Sequence, residues 1–380
     1  MLAFIACLLA TQVPVDQPPR LRTILPNGAA ILVEAAPKAK GLSIELFISS
    51  RGTEETPITN GLRHLLEHLV ALGPKGDLDR RLEAAGGFLV AQTSRDAMEF
   101  RLNLPNGKLD FGLKCVEELT HMPEVTPETI KHEALILEQE VALRDDSAKF
   151  SSAAWTLAFG DKGLDPIGNL DVIRNATPAM LDSVHKIMFS GPNLVIAVAG
   201  DVDLDAATIA CSSLLANAAK RDVVEFNRGA GVGGNTTVEA AGIAYSVPVP
   251  SFKMPETAAR LAAALAIASE ADHCFVIYTP SANSGMVTLG RTENKAELET
   301  IVRKANANDL FARGKILAKA WVNRNLDSPE HVAAFRGLLL VNAIDLKPDS
   351  MLENINAMTH ADFASAIESY RTNAVMVQGR

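Results

Sequence analysis

The order of apolar and polar residues predicts an alternation of short strands and amphipathic helices in the first half of the chain. Runs that alternate with period two, or that are apolar and bounded by Gly, Pro or Asn, indicate strands. The strands predicted there are two around the turn Pro26-Asn27-Gly28 within 20–33, then 42–49, 88–93, 96–104 and 194–199. The helices predicted there are one that begins near Thr59 or Asn60 and ends at Gly73-Pro74, then 77–85, 109–122, 126–144, 177–189 and 203–220.

The second half repeats these themes with weaker signals. Residues 221–237 contain Gly229, Gly231, Gly233 and Gly234 with little apolar periodicity, which indicates a linker. The elements predicted beyond it are strands at 243–249, 274–278 and 286–290, a helix at 256–269, and further helices. A chain of 380 residues exceeds one ordinary core, so we predict two domains. The predicted division is a signal peptide or disordered tail at 1–19, a domain at 20–220, the linker at 221–237, and a shorter domain at 238–380.

Composition narrows the possible functions. A hydrophobic fraction of 48% with 21% charged residues is typical of a packed globular protein. The net charge of -9, with a pI of about 5.5 and no polybasic run, argues against nucleic acid as a partner. Past the N-terminus, no apolar run reaches the roughly 18 residues that a membrane-spanning helix needs.

The first residues of the chain predict export. The apolar run from Leu2 to Ala10, followed by a polar, Pro-rich stretch, is typical of a signal peptide core, although no Lys or Arg precedes it. A periplasmic or secreted location is therefore expected. The alternative is a disordered tail on a cytoplasmic protein.

The helix predicted after Asn60 carries the candidate chemistry. His64 and His68 are four residues apart, so a helix places both imidazoles on one face, with Glu67 beside them. Two imidazoles one turn apart can bind a tetrahedral Zn²⁺, and a neighbouring carboxylate outside the ligand set can take a proton from water at the metal. The order His-x-x-Glu-His is the inverzincin signature of metallopeptidases.

The alternative is a surface helix whose histidines merely share a face. The residues between and around the histidines argue for burial instead: Leu62, Leu65, Leu66 and Leu69. Two buried imidazoles and a carboxylate without partners would cost several kcal/mol. A metal ion is the partner that best removes this cost.

A third protein ligand is expected, because catalytic zinc commonly keeps three protein ligands and one open position. The helix predicted at 126–144 offers Glu133 and Glu140, which are seven residues apart and therefore share a face, whereas Glu138 points elsewhere. Either of the first two could complete the site.

Several motifs together resemble the pitrilysin family of zinc metallopeptidases, which includes insulin-degrading enzyme and the mitochondrial processing peptidases. They cover residues 21 to 203 in the family order. The motifs are Leu25-Pro26-Asn27-Gly28, Gly52-Thr53-x-Glu55, Gly61-x-x-His64-x-x-Glu67-His68, Gly86-Gly87-x-x-x-Ala91-x-Thr93-Ser94-x-Asp96, Pro166-x-Gly168-Asn169 and Ala199-Gly200-Asp201.

The resemblance implies roles for these residues and a fold. It implies a zinc endopeptidase of short or unfolded peptides with one Zn²⁺ per chain, held by His64, His68 and Glu140. Glu67 would be the general base, and Glu133 would support a ligand by a hydrogen bond. The implied fold class is α+β, with two related domains that each pack helices on a mostly antiparallel sheet and together enclose a peptide-binding chamber.

The resemblance also implies that the substrate adds as a strand to the sheet edge near Val90, Ala91, Gln92 and Thr93. The family usually has Asn at the position of Val90, where it helps hold the substrate backbone. Binding in this chain is therefore expected to rely more on main-chain contacts.

The second half departs from the family pattern. Members that act alone carry a Leu-Arg-Glu stretch and a Tyr seven residues after the Arg, which steady the scissile carbonyl. Here Ile267 to Glu270 precedes Tyr278, and no Arg occurs between Arg260 and Arg291. We therefore expect a homo- or hetero-oligomer with a related subunit that supplies an Arg/Tyr pair. The competing interpretation is a non-catalytic or weakly active partner or scaffold subunit of a related peptidase complex.

Overall fold

The computed structural model describes residues 19–342 and 349–380. Residues 1–18, on which the predicted signal peptide falls, lie outside the described residues. Every helix of the described chain is too short or too polar to cross a membrane.

The first half of the chain builds a six-stranded sheet in the order β1-β2-β6-β3-β5-β4. All of its strand pairs are antiparallel except β2–β6. The strands are β1 (Arg20–Ile24), β2 (Ala30–Ala35), β3 (Leu42–Ser49), β4 (Phe88–Thr93), β5 (Ala97–Leu104) and β6 (Leu194–Gly200). The helices are α1 (Leu62–Ala71), α2 (Leu78–Ala84), α3 (Leu109–Leu119), α4 (Pro127–Leu143), α5 (Asp146–Phe159), α6 (Leu170–Arg174), α7 (Pro178–Met188) and α8 (Leu204–Leu215).

The second half builds a five-stranded sheet in the order β7-β11-β8-β10-β9, in which only β7–β11 is parallel. The strands are β7 (Gly234–Val238), β8 (Ile243–Val249), β9 (Cys274–Tyr278), β10 (Gly285–Arg291) and β11 (Val375–Gly379). The helices are α9 (Pro255–Ala268), α10 (Lys295–Lys304), α11 (Ala307–Arg324), α12 (Pro329–Val341), α13 (Asp349–Ala357) and α14 (His360–Thr372). The predicted α+β class, with helices on two mostly antiparallel sheets, is confirmed.

Each sheet is covered on one face by a helix from the other half of the chain. Helix α12 lies on the first sheet, and a Cβ at its Gly337 would lie 2.2 Å from the ring of Phe47, so only glycine allows this approach. Arg336 of α12 also forms a buried ion pair with Glu34 of β2 at 2.8 Å. Helix α5 lies on the second sheet, where Phe150 is fully buried. These two helices join the halves of the chain. The opposite face of the first sheet packs against α1, α3 and α8.

The structure corrects several of the predicted boundaries. The irregular part of the predicted linker ends at Gly233, because β7 pairs in parallel with β11, a strand that the pattern did not predict. Helix α5 was also not predicted, and α8 ends at Leu215 rather than near 220. The domain boundaries themselves stay a prediction.

Candidate metal centre

Helix α1 begins one or two residues later than predicted, because Gly61 and not Thr59 or Asn60 is its N-terminal cap. The cap residue has φ of 107°, a conformation that glycine adopts without strain. The carboxylate of Glu55 accepts hydrogen bonds from the backbone N–H groups of Gly61, at 2.7 Å, and Arg63, at 3.4 Å. Its other oxygen pairs with the buried Arg63 guanidinium at 3.3 Å. A side chain from the preceding loop therefore fixes the start of the helix.

The buried leucines of α1 turn the polar face of the helix toward α4, as the sequence predicts. His64 Nε2 lies 3.4 Å from Glu140 Oε2, and His68 Nε2 lies 3.4 Å from Glu140 Oε1. The two imidazole rings meet edge to face with centroids 5.0 Å apart. The structure thus brings together the two histidines and the glutamate that the resemblance had named as ligands.

The other nitrogen of each histidine has a partner that fixes its ring. His68 Nδ1 lies 3.2 Å from Glu133 Oε2, and His64 Nδ1 lies 3.1 Å from the carbonyl oxygen of Ile167. A metal-binding histidine needs such a contact on its second nitrogen, because the contact sets the tautomer and the ring orientation. The carbonyl of Ile167 is a contact that the sequence did not reveal.

A close backbone approach presents the Ile167 carbonyl to the site. A Cβ at Gly168 would lie 2.4 Å from the Cα of Gly61, so the two glycines allow the loop before α6 to touch the start of α1. The backbone N–H of Asn169 donates to the carbonyl of Asn60 at 3.0 Å and holds this contact. The Gly168-Asn169 motif therefore has a structural role in positioning His64.

Glu67 lies beside the histidines but is held differently from Glu140. Its Oε2 is 3.7 Å from His64 Nε2 and accepts a hydrogen bond from the hydroxyl of Thr93 at 3.3 Å. Burial raises the pKa of Glu67 to about 7, although His68 and the Thr93 hydroxyl lower it in part. A buried carboxylate with a pKa near neutrality is suited to accept and release a proton.

Burial also acts on the two imidazoles. It lowers the pKa of His64, which favours the neutral ring that a metal requires. For His68 burial also favours the neutral form, but the bond to Glu133 and the carboxylates of Glu67 and Glu140 outweigh it and raise the pKa.

The donor set fits a zinc ion. Donor atoms of His64, Glu67 and His68 all lie within 4.8 Å of one another, so Glu67 is a geometric alternative to Glu140 as third ligand. Bonds of about 2.0–2.2 Å in a tetrahedron place neighbouring donors roughly 3.3–3.6 Å apart. The Glu140 carboxylate meets this spacing with both histidines, whereas Glu67 is bonded to Thr93. His64, His68 and Glu140 are therefore the better set.

The expected peptide-binding strand lies next to the donors. Among the described strands, β4 lies at the edge of its sheet and pairs only with β5, so its outer N–H and C=O groups are not used by those strands. An open cleft with a volume of about 520 Å³ contains the histidines and Glu140. Ala91, Gln92 and Thr93 of β4 line the same cleft. Val90 is 38% exposed and points to the face away from Ala91.

In the second half, Tyr278 points away from this cleft. Its neighbours Ile277 and Thr279 line a cavity between the two halves, so the alternation along β9 turns Tyr278 to the other face. There its ring lies 5.7 Å from that of Trp321, and its buried hydroxyl has no hydrogen-bond partner among the described residues.

Comparisons with known proteins agree with this fold. Residues 30–156 match the model of the family described as Insulinase (Peptidase family M16). An uncharacterized zinc protease of Mycobacterium leprae is 26% identical over 192 residues, which are 48% of this chain and 43% of that protein. The beta subunit of the mitochondrial-processing peptidase of Blastocladiella emersonii is 25% identical over 189 residues, 48% of this chain and 41% of the subunit. The chain thus spans less than half the length of these relatives.

Solved structures share the fold over nearly the whole chain. A protease from Helicobacter pylori superposes with a TM-score of 0.81 and 18% identity, covering 95% of this chain and 99% of that one. The periplasmic protease PqqL of Escherichia coli gives a TM-score of 0.72 at 16% identity, covering 97% of this chain and 48% of PqqL. The fold is therefore that of the M16-like two-domain peptidases. The insulinase family, also called pitrilysin or M16, is thus the family that residues 30–156 of this chain match.

Proposed function

We propose that this chain is a zinc-dependent endopeptidase that hydrolyses short or unfolded peptides. The observation that carries the proposal is the spacing of 3.4 Å between each oxygen of Glu140 and one of the two histidine nitrogens, with Glu67 close by but outside this set. Relatives that match about half of the chain are named zinc proteases, which supports the same class of activity.

In this proposal each residue has a defined task. His64, His68 and Glu140 hold the ion, which when bound acts as a Lewis acid that acidifies a water molecule and polarises a carbonyl. Glu67 takes the proton from the attacking water and passes it to the leaving amine, and its raised pKa suits both transfers. The Thr93 hydroxyl keeps the Glu67 carboxylate turned toward the cleft.

The substrate is an extended peptide because the site offers a strand edge. A peptide that pairs with β4 would use the outer N–H and C=O groups of that strand, including those of Gln92 and Thr93. Strand pairing of this kind recognises the peptide backbone, so it favours peptides that can become extended. Since Val90 replaces the family Asn, main-chain hydrogen bonds carry more of the binding.

Two variants test the ligand and base assignments. Glu140→Gln should lose zinc, whereas Glu67→Gln should keep one zinc per chain and lose hydrolysis. Zinc content after reconstitution and dialysis, together with cleavage of an unstructured peptide, measures both. Glu138→Gln, on the exposed side of α4 where it pairs with Arg174, is the matched control. Zinc retained by Glu140→Gln but lost by Glu67→Gln would contradict the assignment.

The second candidate is a partner subunit with little or no activity of its own. The burial of Tyr278 and the lack of an Arg between Arg260 and Arg291 favour it. A relative that matches about half of the chain is named as one subunit of a peptidase, which also supports a second chain. If zinc-loaded protein binds peptide but does not cleave it, alone or mixed with an Arg/Tyr-bearing relative, this candidate replaces the first.

We also propose export to the periplasm or the medium, on the apolar segment from Leu2 to Ala10. The test is N-terminal sequencing of the protein from its native host. A mature N-terminus after Ala10 supports export, whereas one at Met1 or Leu2 supports a cytoplasmic protein.

A further inference from the structure

A second cavity lies beside the metal cleft, between the two halves of the chain. Its volume is about 150 Å³, and Gln92, Thr93 and Pro166 line both it and the metal cleft. The second half contributes the β9–β10 segment, including Thr279 and Ser281. A peptide that occupies the cleft along β4 therefore has this cavity at the end of the strand.

Arg95 lines the cavity, and its guanidinium is almost wholly closed off from water. Its Nε and Nη2 are buried and have no hydrogen-bond acceptor among the described residues. Its guanidinium lies 4.4 Å from the ring centroid of Trp155, which also lines the cavity. The ring supports one face of the guanidinium but cannot accept its in-plane N–H groups.

The charges around Arg95 are already paired with other residues. Asp96 pairs with Arg228 at 2.5 Å, and Asp165 pairs with Arg144. The charges of Asp165 and Asp96 act on Arg95, but Arg95 forms no direct ion pair with a carboxylate among the described residues. Burial lowers its pKa to about 10, so it still carries its charge at neutral pH.

A third cavity, which Arg95 also lines, contains charges of both signs, so Arg95 is not its distinguishing charge. Its lining includes three carboxylates, Glu54, Glu55 and Asp161, and three cations besides Arg95, namely Arg63, Lys162 and Arg228. In the cavity next to the metal cleft the lining carboxylate is Asp96, which Arg228 already neutralises. The uncompensated charge on that side is positive.

We propose that Arg95 binds a carboxylate of the peptide substrate in this cavity, and so selects peptides with an acidic group near the cleaved bond. The inference rests on the proposed peptidase function. In this binding mode the side chain turns its two unpaired in-plane donors into the cavity, where they match a planar carboxylate better than any neutral group. The carboxylate belongs either to an Asp or Glu side chain or to the C-terminus of the peptide.

The position of Arg95 sets how far this group lies from the reacting bond. Thr93 contacts Glu67 at 3.3 Å, and Arg95 follows two residues later along the chain. Extended chain advances about 3.3 Å per residue, so the carboxylate belongs roughly one to three residues from the cleaved bond. A cavity of about 150 Å³ has room for an acidic side chain or a chain terminus in place of a few waters.

Matched peptide pairs test the proposal. One series places Asp or Glu, against Asn or Gln, at successive positions of a C-terminally amidated peptide. A second series compares the free acid with the amide of a peptide without acidic residues. In one of the series we expect kcat/KM to favour the acid by at least about tenfold, which corresponds to a single good charge-assisted contact. The series that shows the preference identifies the source of the carboxylate.

Variants of Arg95 test whether this residue causes the preference for acidic peptides. Arg95→Gln should bring the acid-to-amide ratio to about one, and Arg95→Lys should keep part of it, because the charge remains but the paired donors are lost. Arg51→Gln is the matched control, since Arg51 is a partly buried arginine of the same domain that does not line this cavity, and it should keep the full ratio. If the acid-to-amide ratio of kcat/KM in the wild type is about one at every position and at the terminus, the proposal is wrong, because an acidic group then adds nothing to cleavage.

A binding measurement covers the case in which Arg95→Gln does not fold or no peptide is cleaved. In zinc-loaded protein carrying Glu67→Gln and Trp321→Phe, Trp155 is the one remaining tryptophan, since the chain has 2. Its fluorescence should respond to an amidated peptide with one glutamate at concentrations at least about tenfold lower than to the glutamine peptide. If the glutamate and glutamine peptides give the same response at the same concentrations, the proposed carboxylate site is wrong. Absence of cleavage by wild-type protein, with this difference present, refutes the peptidase function and leaves the site standing.

Discussion

Arg228 Nη2 donates a hydrogen bond to Asp96 Oδ1 at 2.5 Å, across 132 residues of sequence. Arg228 lies in the irregular linker between the two sheets, and Asp96 lies in the turn between β4 and β5. The same guanidinium donates to the carbonyl oxygens of Lys162 and Ser284, the latter in the β9–β10 connection. One side chain therefore ties the linker to both halves beside the cleft.

We predict that Arg228→Met destabilises the protein by about 3 kcal/mol, since removal of one partner leaves the other charge of a buried pair uncompensated. The Arg228 side chain is 1% exposed and that of Asp96 is 18% exposed. Urea unfolding measures the change. Arg174→Gln breaks the exposed pair with Glu138 and should cost less than about 1 kcal/mol. Equal effects of the two substitutions would show that the linker contact does not stabilise the fold.

We predict that Glu133→Gln weakens zinc binding by about 10- to 100-fold without unfolding the protein. Glu133 is buried on α4 and lies 3.2 Å from His68 Nδ1, where it fixes the ring so that Nε2 faces the cleft. Glutamine has the same shape but no charge, so the ring loses its anionic partner. Competition with a chelator of known affinity measures the change.

The control for this prediction is Glu138→Gln on the same helix, which should bind zinc as the wild type does. Zinc affinity unchanged in Glu133→Gln would mean that packing alone orients His68. If the melting temperature of Glu133→Gln is far below that of the wild type, Glu133 instead stabilises the fold.

The convergence at the metal centre was visible in the sequence because it depends on periodicity. His64 and His68 are one turn apart, and Glu133 and Glu140 are two turns apart, so two helices that face each other bring them together. Both helices have strong local signals: the leucines of α1 and the Thr126-Pro127 start of α4.

The contacts that hold the site in place could not be predicted in the same way. Glu55 caps α1, Ile167 offers its carbonyl to His64, and Gly168 touches Gly61, all of them through loops without periodicity. The exchange of α5 and α12 between the sheets also depends on tertiary packing. The alanines and serines of α5 gave only a weak periodic signal, and β11 is stable because β7 and β8 flank it.

We predict that His185 makes the protein sensitive to acid. Burial lowers the pKa of His185 from its ordinary 6.5 to about 4, and the ring stacks on Phe189 with centroids 4.0 Å apart. Between these two values the unfolded chain binds a proton that the folded chain does not, so stability falls as pH falls from about 6.5 toward 4. The loss from this group between pH 7 and pH 4.5 amounts to about 2 kcal/mol.

Replacement of His185 by Gln should remove this part of the pH dependence. Urea unfolding at pH 7 and at pH 4.5 measures the difference in the free energy of unfolding, which should be about 2 kcal/mol smaller in the variant. The exposed His132, replaced in the same way, is the control and should leave the difference as in the wild type. A wild-type pH dependence in His185→Gln would assign the acid sensitivity to other groups.

The last prediction concerns the second subunit. Enzymes that hydrolyse peptides gain from donors that steady the oxyanion, which are typically worth about 3 kcal/mol, or 10²- to 10³-fold in rate. In this chain Tyr278 is turned toward Trp321 and away from the cleft, and Arg291 is paired with Glu297 at 3.1 Å. The second half therefore presents neither expected donor to a bound peptide.

We predict that the isolated, zinc-loaded chain cleaves peptides slowly, and that a related subunit with an Arg/Tyr pair raises its turnover by at least about tenfold, below the range for a single oxyanion donor. Turnover of one peptide, measured against increasing amounts of the partner, should rise to a plateau. A partner whose Arg and Tyr are replaced by Lys and Phe is the control, because it should still associate but not accelerate. If the isolated chain, monomeric by light scattering, already cleaves as fast as any mixture, then other residues of this chain steady the oxyanion. Arg95 would be the first to examine, since its buried N–H donors lie beside the cleft.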